Sequence, residues 1–178
     1  MILLGKTVEE QLYNAIGSRL KEEFAYLLPI VVKRGQINWK SERKNSFLHV
    51  ASLFDREEDV DMLAVLMKQP NIDMNATNFS GETPFHTACV CRAKSAIKLL
   101  LNDPRVDINK PGRNNVTPLW TAIRHDESLW VLKYILTHSE RRLDTDSAFI
   151  YDMPVIKALQ TYSSPNKETK RIIRLLTA

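Results

Sequence analysis

The sequence predicts an all-α repeat solenoid, a fold in which pairs of helices stack side by side. The main observation is a repeated phrase: Thr-Pro-Phe-His-Thr-Ala at residues 83–88 returns 34 residues later as Thr-Pro-Leu-Trp-Thr-Ala. A second phrase ends at Asn38, Asn75 and Asn109, with spacings of 37 and 34 residues. Periods of about 20–50 residues indicate stacked supersecondary units. The chain has five glycines in 178 residues, which suits helices.

The first helix pair is expected within residues 5–38. Leu12 and Ile16 lie on one helical face, and Gly17 ends that helix. A second helix is expected over residues 20–34. The segment lacks the Thr-Pro start, as expected of a terminal repeat whose outer face meets water.

The second pair is expected within residues 39–75. Its first helix begins with Ser-Phe-Leu-His-Val-Ala at residues 46–51, where Phe47 replaces the proline. The unit is three residues longer than the 34-residue period. We expect the extra length to form an acidic turn at residues 55–59, between the two helices.

The next two units carry the repeated phrase in full. Pro84 suits the first position of a helix, and the Thr83 hydroxyl can cap the free N–H groups there. The second helices are expected over residues 94–101 and 127–138. A last unit keeps only Pro154 and Ala158 of the phrase.

These phrases, with the Asp-x-Asn motifs at 73–75 and 107–109, resemble the signature of the ankyrin-repeat family. The resemblance implies helix-turn-helix units with short β-hairpin fingers. It implies about five of them in one domain over residues 1–178, the terminal ones degenerate. Their expected limits are 5–38, 39–75, 76–109, 110–144 and 145–178.

The resemblance also implies roles for individual residues. His49 and His86 stand where the family's histidine binds backbone between fingers. Trp120 takes that position in the next unit, and its ring has a donor but no acceptor, so the local network must differ.

By the same resemblance, a partner protein docks on the concave face, formed by the finger tips and first helices. Aromatic and arginine side chains carry much of the energy of protein interfaces. Trp39 is either a packed cap or an interface residue. The ten residues expected to bind the partner are Arg43, Phe54, Phe79, Glu82, Cys91, Arg113, Asn114, Arg124, His125 and Phe149.

We expect no catalytic activity, cofactor or metal. Cys89 and Cys91 with His86 do not form a tetrahedral ligand set, and no phosphate-binding loop or nucleophile motif is present. The net charge of +4 is modest, and no aromatic residue lies among the basic residues of the tail, so nucleic acid is not favoured as a partner.

We expect the protein to be a monomer. We expect it in a reducing, intracellular compartment, because two cysteines are too few for a disulfide framework. No apolar run reaches the roughly 20 residues needed to cross a bilayer. The alternative is a targeting segment of a larger protein, such as a secreted bacterial effector that acts in a host cell. Any catalytic activity would then lie elsewhere in that protein.

Overall fold

Eight α-helices run through the part of the chain that the computed structural model describes, namely residues 5–125 and 130–138 with Lys157 and Lys170. The expected helix pair within 145–178 lies outside this range apart from Lys157 and Lys170, which are both helical. The helices are α1 (Val8–Gly17), α2 (Lys21–Lys33), α3 (Phe47–Ala51), α4 (Glu57–Met67), α5 (Pro84–Cys91), α6 (Lys94–Leu101), α7 (Pro118–His125) and α8 (Trp130–His138).

The helices pack in two rows. α1, α3, α5 and α7 contact one another in succession and form the first row. α4, α6 and α8 form the second row, and each packs against the preceding first-row helix, as α2 packs against α1. The fold is therefore the predicted stack of helix pairs.

One hydrophobic core runs between the rows. First-row helices bury small and branched side chains such as Leu48 and Ala88, and second-row helices bury leucine and isoleucine, such as Leu66 and Ile97. These positions recur at helical spacing, so each helix presents one apolar stripe to its neighbours.

A tight hairpin turn precedes each of the last three first-row helices. We call residues 39–45 finger 1, residues 76–82 finger 2 and residues 110–116 finger 3. In finger 2 the Asn78 amide donates to the Glu82 carbonyl at 3.0 Å, and fingers 1 and 3 make the same bond at 2.9 and 2.8 Å. Among the described residues the one isolated β-bridge pairs Lys40 with Ser46, so the predicted β-hairpins are reduced to turns.

The predicted acidic turn at residues 55–59 is wrong in part. α3 ends at Ala51 and α4 begins at Glu57, so the last three of these acidic-turn residues are helical. Carboxylates are favoured in the first turn of a helix by its dipole. The extra length does lie between the two helices, because five residues connect α3 to α4 whereas two connect α5 to α6.

Candidate functional site

The Thr-Pro phrase fixes where finger 2 ends and α5 begins. Thr83 is the N-cap in extended conformation, Pro84 is at the first helical position, and the His86 amide donates to the Thr83 hydroxyl at 3.4 Å. After finger 3 the Trp120 amide donates to the Thr117 hydroxyl at 3.3 Å, which is the same cap at the start of α7. The predicted capping role of threonine is therefore confirmed, and it holds each finger against its own helix.

His86 joins two repeats. Its Nδ1 accepts from the Thr83 amide at 3.1 Å and lies 2.9 Å from the Thr83 hydroxyl, and its Nε2 lies 2.9 Å from the Val116 carbonyl in finger 3. An N–H group can only donate, so Nδ1 is unprotonated and the proton is on Nε2. His49 makes the corresponding contacts with Ser46 and with the Glu82 carbonyl.

The two histidines are structural, as predicted. Burial lowers the pKa of His49 and His86 below the usual value for histidine, although their backbone carbonyl partners act in the opposite direction. Both rings are therefore neutral at pH 7 and serve as bridges between fingers. Trp120 occupies the third such position as a buried side chain, and its ring has no acceptor to repeat the threonine contact.

A second set of bridges was not predicted. The Asn75 side chain donates to the Arg105 carbonyl at 2.7 Å and accepts from the Asp107 amide at 2.7 Å. Asn38 makes the same pair of bonds one unit earlier. The asparagine that recurs at the end of each phrase was the only sign of these bridges in the sequence. Its spacing does not reveal that it contacts the next repeat.

The finger tips are joined backbone to backbone. The Phe79 amide donates to the Arg43 carbonyl at 2.9 Å, and the Arg113 amide donates to the Ser80 carbonyl at 3.2 Å. Gly81 is at φ +75°, and a Cβ added there would lie 2.8 Å from the Arg113 nitrogen. A glycine is therefore required where finger 3 approaches finger 2.

Three of the predicted site residues meet on these tips. Arg43, Phe79 and Glu82 line one shallow groove between fingers 1 and 2. The Arg113 guanidinium lies 5.5 Å from the centre of the Phe79 ring and donates to the Phe79 carbonyl at 3.2 Å. Phe79 is 63% exposed in spite of these neighbours. We use the name finger surface for the residues that line this groove together with Arg113. They are Glu42, Arg43, Asn45, Asn78, Phe79, Ser80, Glu82 and Arg113.

A second groove continues from the finger surface towards α1. It shares Glu42, Arg43 and Asn45 with the first groove, and Tyr13 and Trp39 form part of its wall. Trp39 stacks on Phe47 with ring centres 5.7 Å apart and meets Tyr13 edge-on at 5.8 Å. Trp39 is therefore a packed residue with one side in a groove, and its role in an interface stays a prediction.

Other predicted site residues are not among those of the finger surface. Phe54 is half-buried in the α3–α4 connection, at the far end of the helices, and the Arg19 guanidinium lies 5.4 Å from its ring. Asn114 is exposed at the tip of finger 3, and Arg124 is exposed on α7. Phe149 and the side chain of His125 lie outside the described residues.

Cys91 is exposed at the end of α5, while Cys89 is buried, and neither forms a disulfide. Burial and, secondarily, the Glu82 carboxylate raise the pKa of the Cys91 thiol. A raised pKa reduces the thiolate fraction, which is the reactive form. Among the residues that the structure describes, no cluster of three or more His, Cys, Asp or Glu side chains could hold a metal.

The two rows of helices and the fingers joined tip to tip define a repeat solenoid, in which each unit packs only on its neighbours. The family model for ankyrin repeats in three copies matches residues 48–146. The match covers more than half of the chain, and the protein belongs to the ankyrin-repeat family. No curated protein matches the sequence.

Ankyrin repeats are generally modules for protein–protein interaction and are typically non-catalytic. Within the described part of the chain, no helix is both long enough and apolar enough to span a bilayer.

Proposed function

We propose that this protein is a non-catalytic module that binds a partner protein through its finger surface. Phe79 is the observation that carries the proposal. A large aromatic ring that is 63% exposed, with a guanidinium beside it, is the kind of group that supplies binding energy once a partner covers it.

The support beneath Phe79 favours rigid docking. Its own amide is bonded to finger 1, its carbonyl to Arg113, and its finger is held to α5 by the Thr83 cap. A ring on such a rigid base loses little conformational entropy on binding. The residues proposed to contact the partner are Arg43, Phe79, Glu82 and Arg113, with Asn114 at the rim.

The experiment is affinity capture from cell lysate with the whole chain as bait. A variant that carries Phe79→Ala and Arg113→Glu is compared with a control that carries Tyr26→Ala and Lys33→Glu. Tyr26 is 70% exposed and Lys33 is also exposed, but both lie on α2 and neither lines the two grooves. The charge change is the same in both variants.

We expect a protein that the unaltered chain and the control retain and the finger variant loses. All three baits must give the same helical circular dichroism spectrum. Equal capture by the finger variant would contradict the proposal.

We also propose that the chain forms one domain of about five repeats over residues 1–178, acts as a monomer and works inside the cell. Alternatively, the chain is the targeting segment of a larger protein, such as a secreted bacterial effector, and the same surface directs that protein to its partner. A coding sequence that continues past Ala178 into a catalytic domain would support the alternative.

A further inference from the structure

The three fingers carry a net positive charge. They carry five cations, Lys40, Arg43, Lys44, Lys110 and Arg113, and two carboxylates, Glu42 and Glu82. Their net charge is therefore +3, in a protein whose net charge is +4. This net charge would attract a negatively charged partner to the fingers.

These cations flank the exposed apolar group. The Arg113 guanidinium lies on one side of the Phe79 ring, and finger 1, with Arg43 and Lys44, is bonded to the other side of finger 2. The Phe79 ring thus has an arginine on either side, while Glu42 and Glu82 also line its groove. A partner with the complementary pattern has an apolar side chain between acidic ones.

The shape of the surface favours an extended chain. The two grooves share three residues of finger 1, so they form one track from α1, past Trp39, to Phe79. A peptide in extended conformation advances about 3.3 Å per residue and can follow such a track with alternate side chains facing it.

We propose that the finger surface binds an acidic, extended peptide segment whose apolar side chain covers Phe79. This inference rests on the proposed function and specifies the chemistry of the partner.

Single-stranded nucleic acid has a similar charge but fits the track less well. Glu42 and Glu82 line the groove at Phe79 and would repel the phosphate that every nucleotide carries, whereas a peptide can present uncharged residues to them. Stacking of successive bases needs several accessible aromatic faces. Phe79 is the exposed aromatic residue of the three fingers, and Trp39 is packed between Tyr13 and Phe47.

The test is selection of binders from a display library of random dodecapeptides on the whole chain. We expect the selected peptides to carry a net negative charge and one aromatic or leucine residue flanked by Asp or Glu. Their binding is then measured by fluorescence anisotropy with synthetic copies, at low and at physiological salt. Affinity should fall as salt rises, because exposed charges are screened.

Substitutions test which residues of the finger surface bind the peptide. We expect Arg43→Glu with Arg113→Glu to weaken binding at least tenfold, and Phe79→Ala to do so independently. Lys33→Glu with Lys68→Glu makes the same charge change at exposed positions on α2 and after α4, and should change affinity less than twofold. Glu42→Gln removes a repulsive carboxylate and should tighten binding roughly twofold.

Arg113→Gln serves if the Glu variant misfolds, because glutamine can still donate to the Phe79 carbonyl. The inference is overturned if no peptide is selected, if the selected peptides are neutral or basic, or if acidic peptides bind the charge-reversed variant equally well. Tighter binding of an oligothymidylate than of any peptide would also overturn it and would favour nucleic acid. If the selected peptides are basic and Phe79→Ala weakens their binding, the partner is not acidic, but the proposed function stands.

Discussion

Replacing His86 by alanine would test how the repeats are held together. The ring is fully buried, and it contacts the Thr83 amide, the Thr83 hydroxyl and the Val116 carbonyl at 3.1, 2.9 and 2.9 Å. Alanine removes all three contacts and leaves a cavity. The perturbation therefore acts at the junction between α5 and finger 3.

The expected cost is about 3–5 kcal/mol of unfolding free energy. The three lost hydrogen bonds contribute about 1 kcal/mol each, or about 3 kcal/mol together. The cavity left by an imidazole ring adds on the order of 1 kcal/mol. This sum is a large fraction of the stability of a domain of ordinary size, which is about 5–15 kcal/mol.

The assay is urea unfolding followed by circular dichroism, with Cys91→Ser as the control on the same helix. Cys91 is exposed, so its substitution should cost less than about 0.5 kcal/mol. A His86→Ala variant that loses less than about 1 kcal/mol would refute the view that histidine bridges couple the repeats.

Three more predictions concern stability. Burial lowers the pKa of the two bridging histidines, so the unfolded chain binds more protons below about pH 6.5. Thermal melts should therefore show stability that is constant above that pH and falls as the solution is acidified. Asp55→Ala should cost about 1 kcal/mol in urea unfolding, because its carboxylate accepts from the Ser95 amide at the start of α6 at 2.9 Å. Gly81→Ala should cost about 2–3 kcal/mol by the same assay, because it combines a positive φ with a clash against the Arg113 nitrogen.

Each of these predictions has a control. His86→Ala should lose part of the acid sensitivity, and an unchanged pH profile would contradict the assignment. Asp61→Ala removes an exposed carboxylate that makes only a surface ion pair with Lys21, and should cost less than about 0.5 kcal/mol. Gly35 is at φ +68° with open space around it, so Gly35→Ala should cost about 1 kcal/mol. Equal costs at Gly35 and Gly81 would show that the contact between fingers 2 and 3 is not tight.

The start of α5 was predictable from sequence because its determinants are local. Thr83, Pro84 and His86 lie within one helical turn, and their chemistry requires only that turn. The contact between Asp55 and Ser95 joins residues 40 positions apart. It arises in the longer α3–α4 connection, which interrupts the period, so no repeated pattern could reveal it.

Only part of the candidate site was predictable from the repeated pattern. Arg43, Phe79 and Glu82 meet because successive fingers in a repeat stack lie side by side. Phe54 is equivalent to Cys91, the last residue of α5, but α3 is three residues shorter and ends at Ala51. Phe54 therefore falls in the connection beyond the helix, at the end opposite the fingers.

The most direct test of the central claim is the affinity of the captured partner for two single variants, measured by titration calorimetry. We predict that Phe79→Ala weakens binding by about 2 kcal/mol, or roughly 30-fold, as expected when an exposed aromatic anchor is removed. Tyr26→Ala, which removes an equally exposed ring from α2, should leave the affinity unchanged. An unchanged affinity for Phe79→Ala, or an equal loss in both variants, would contradict binding at the finger surface.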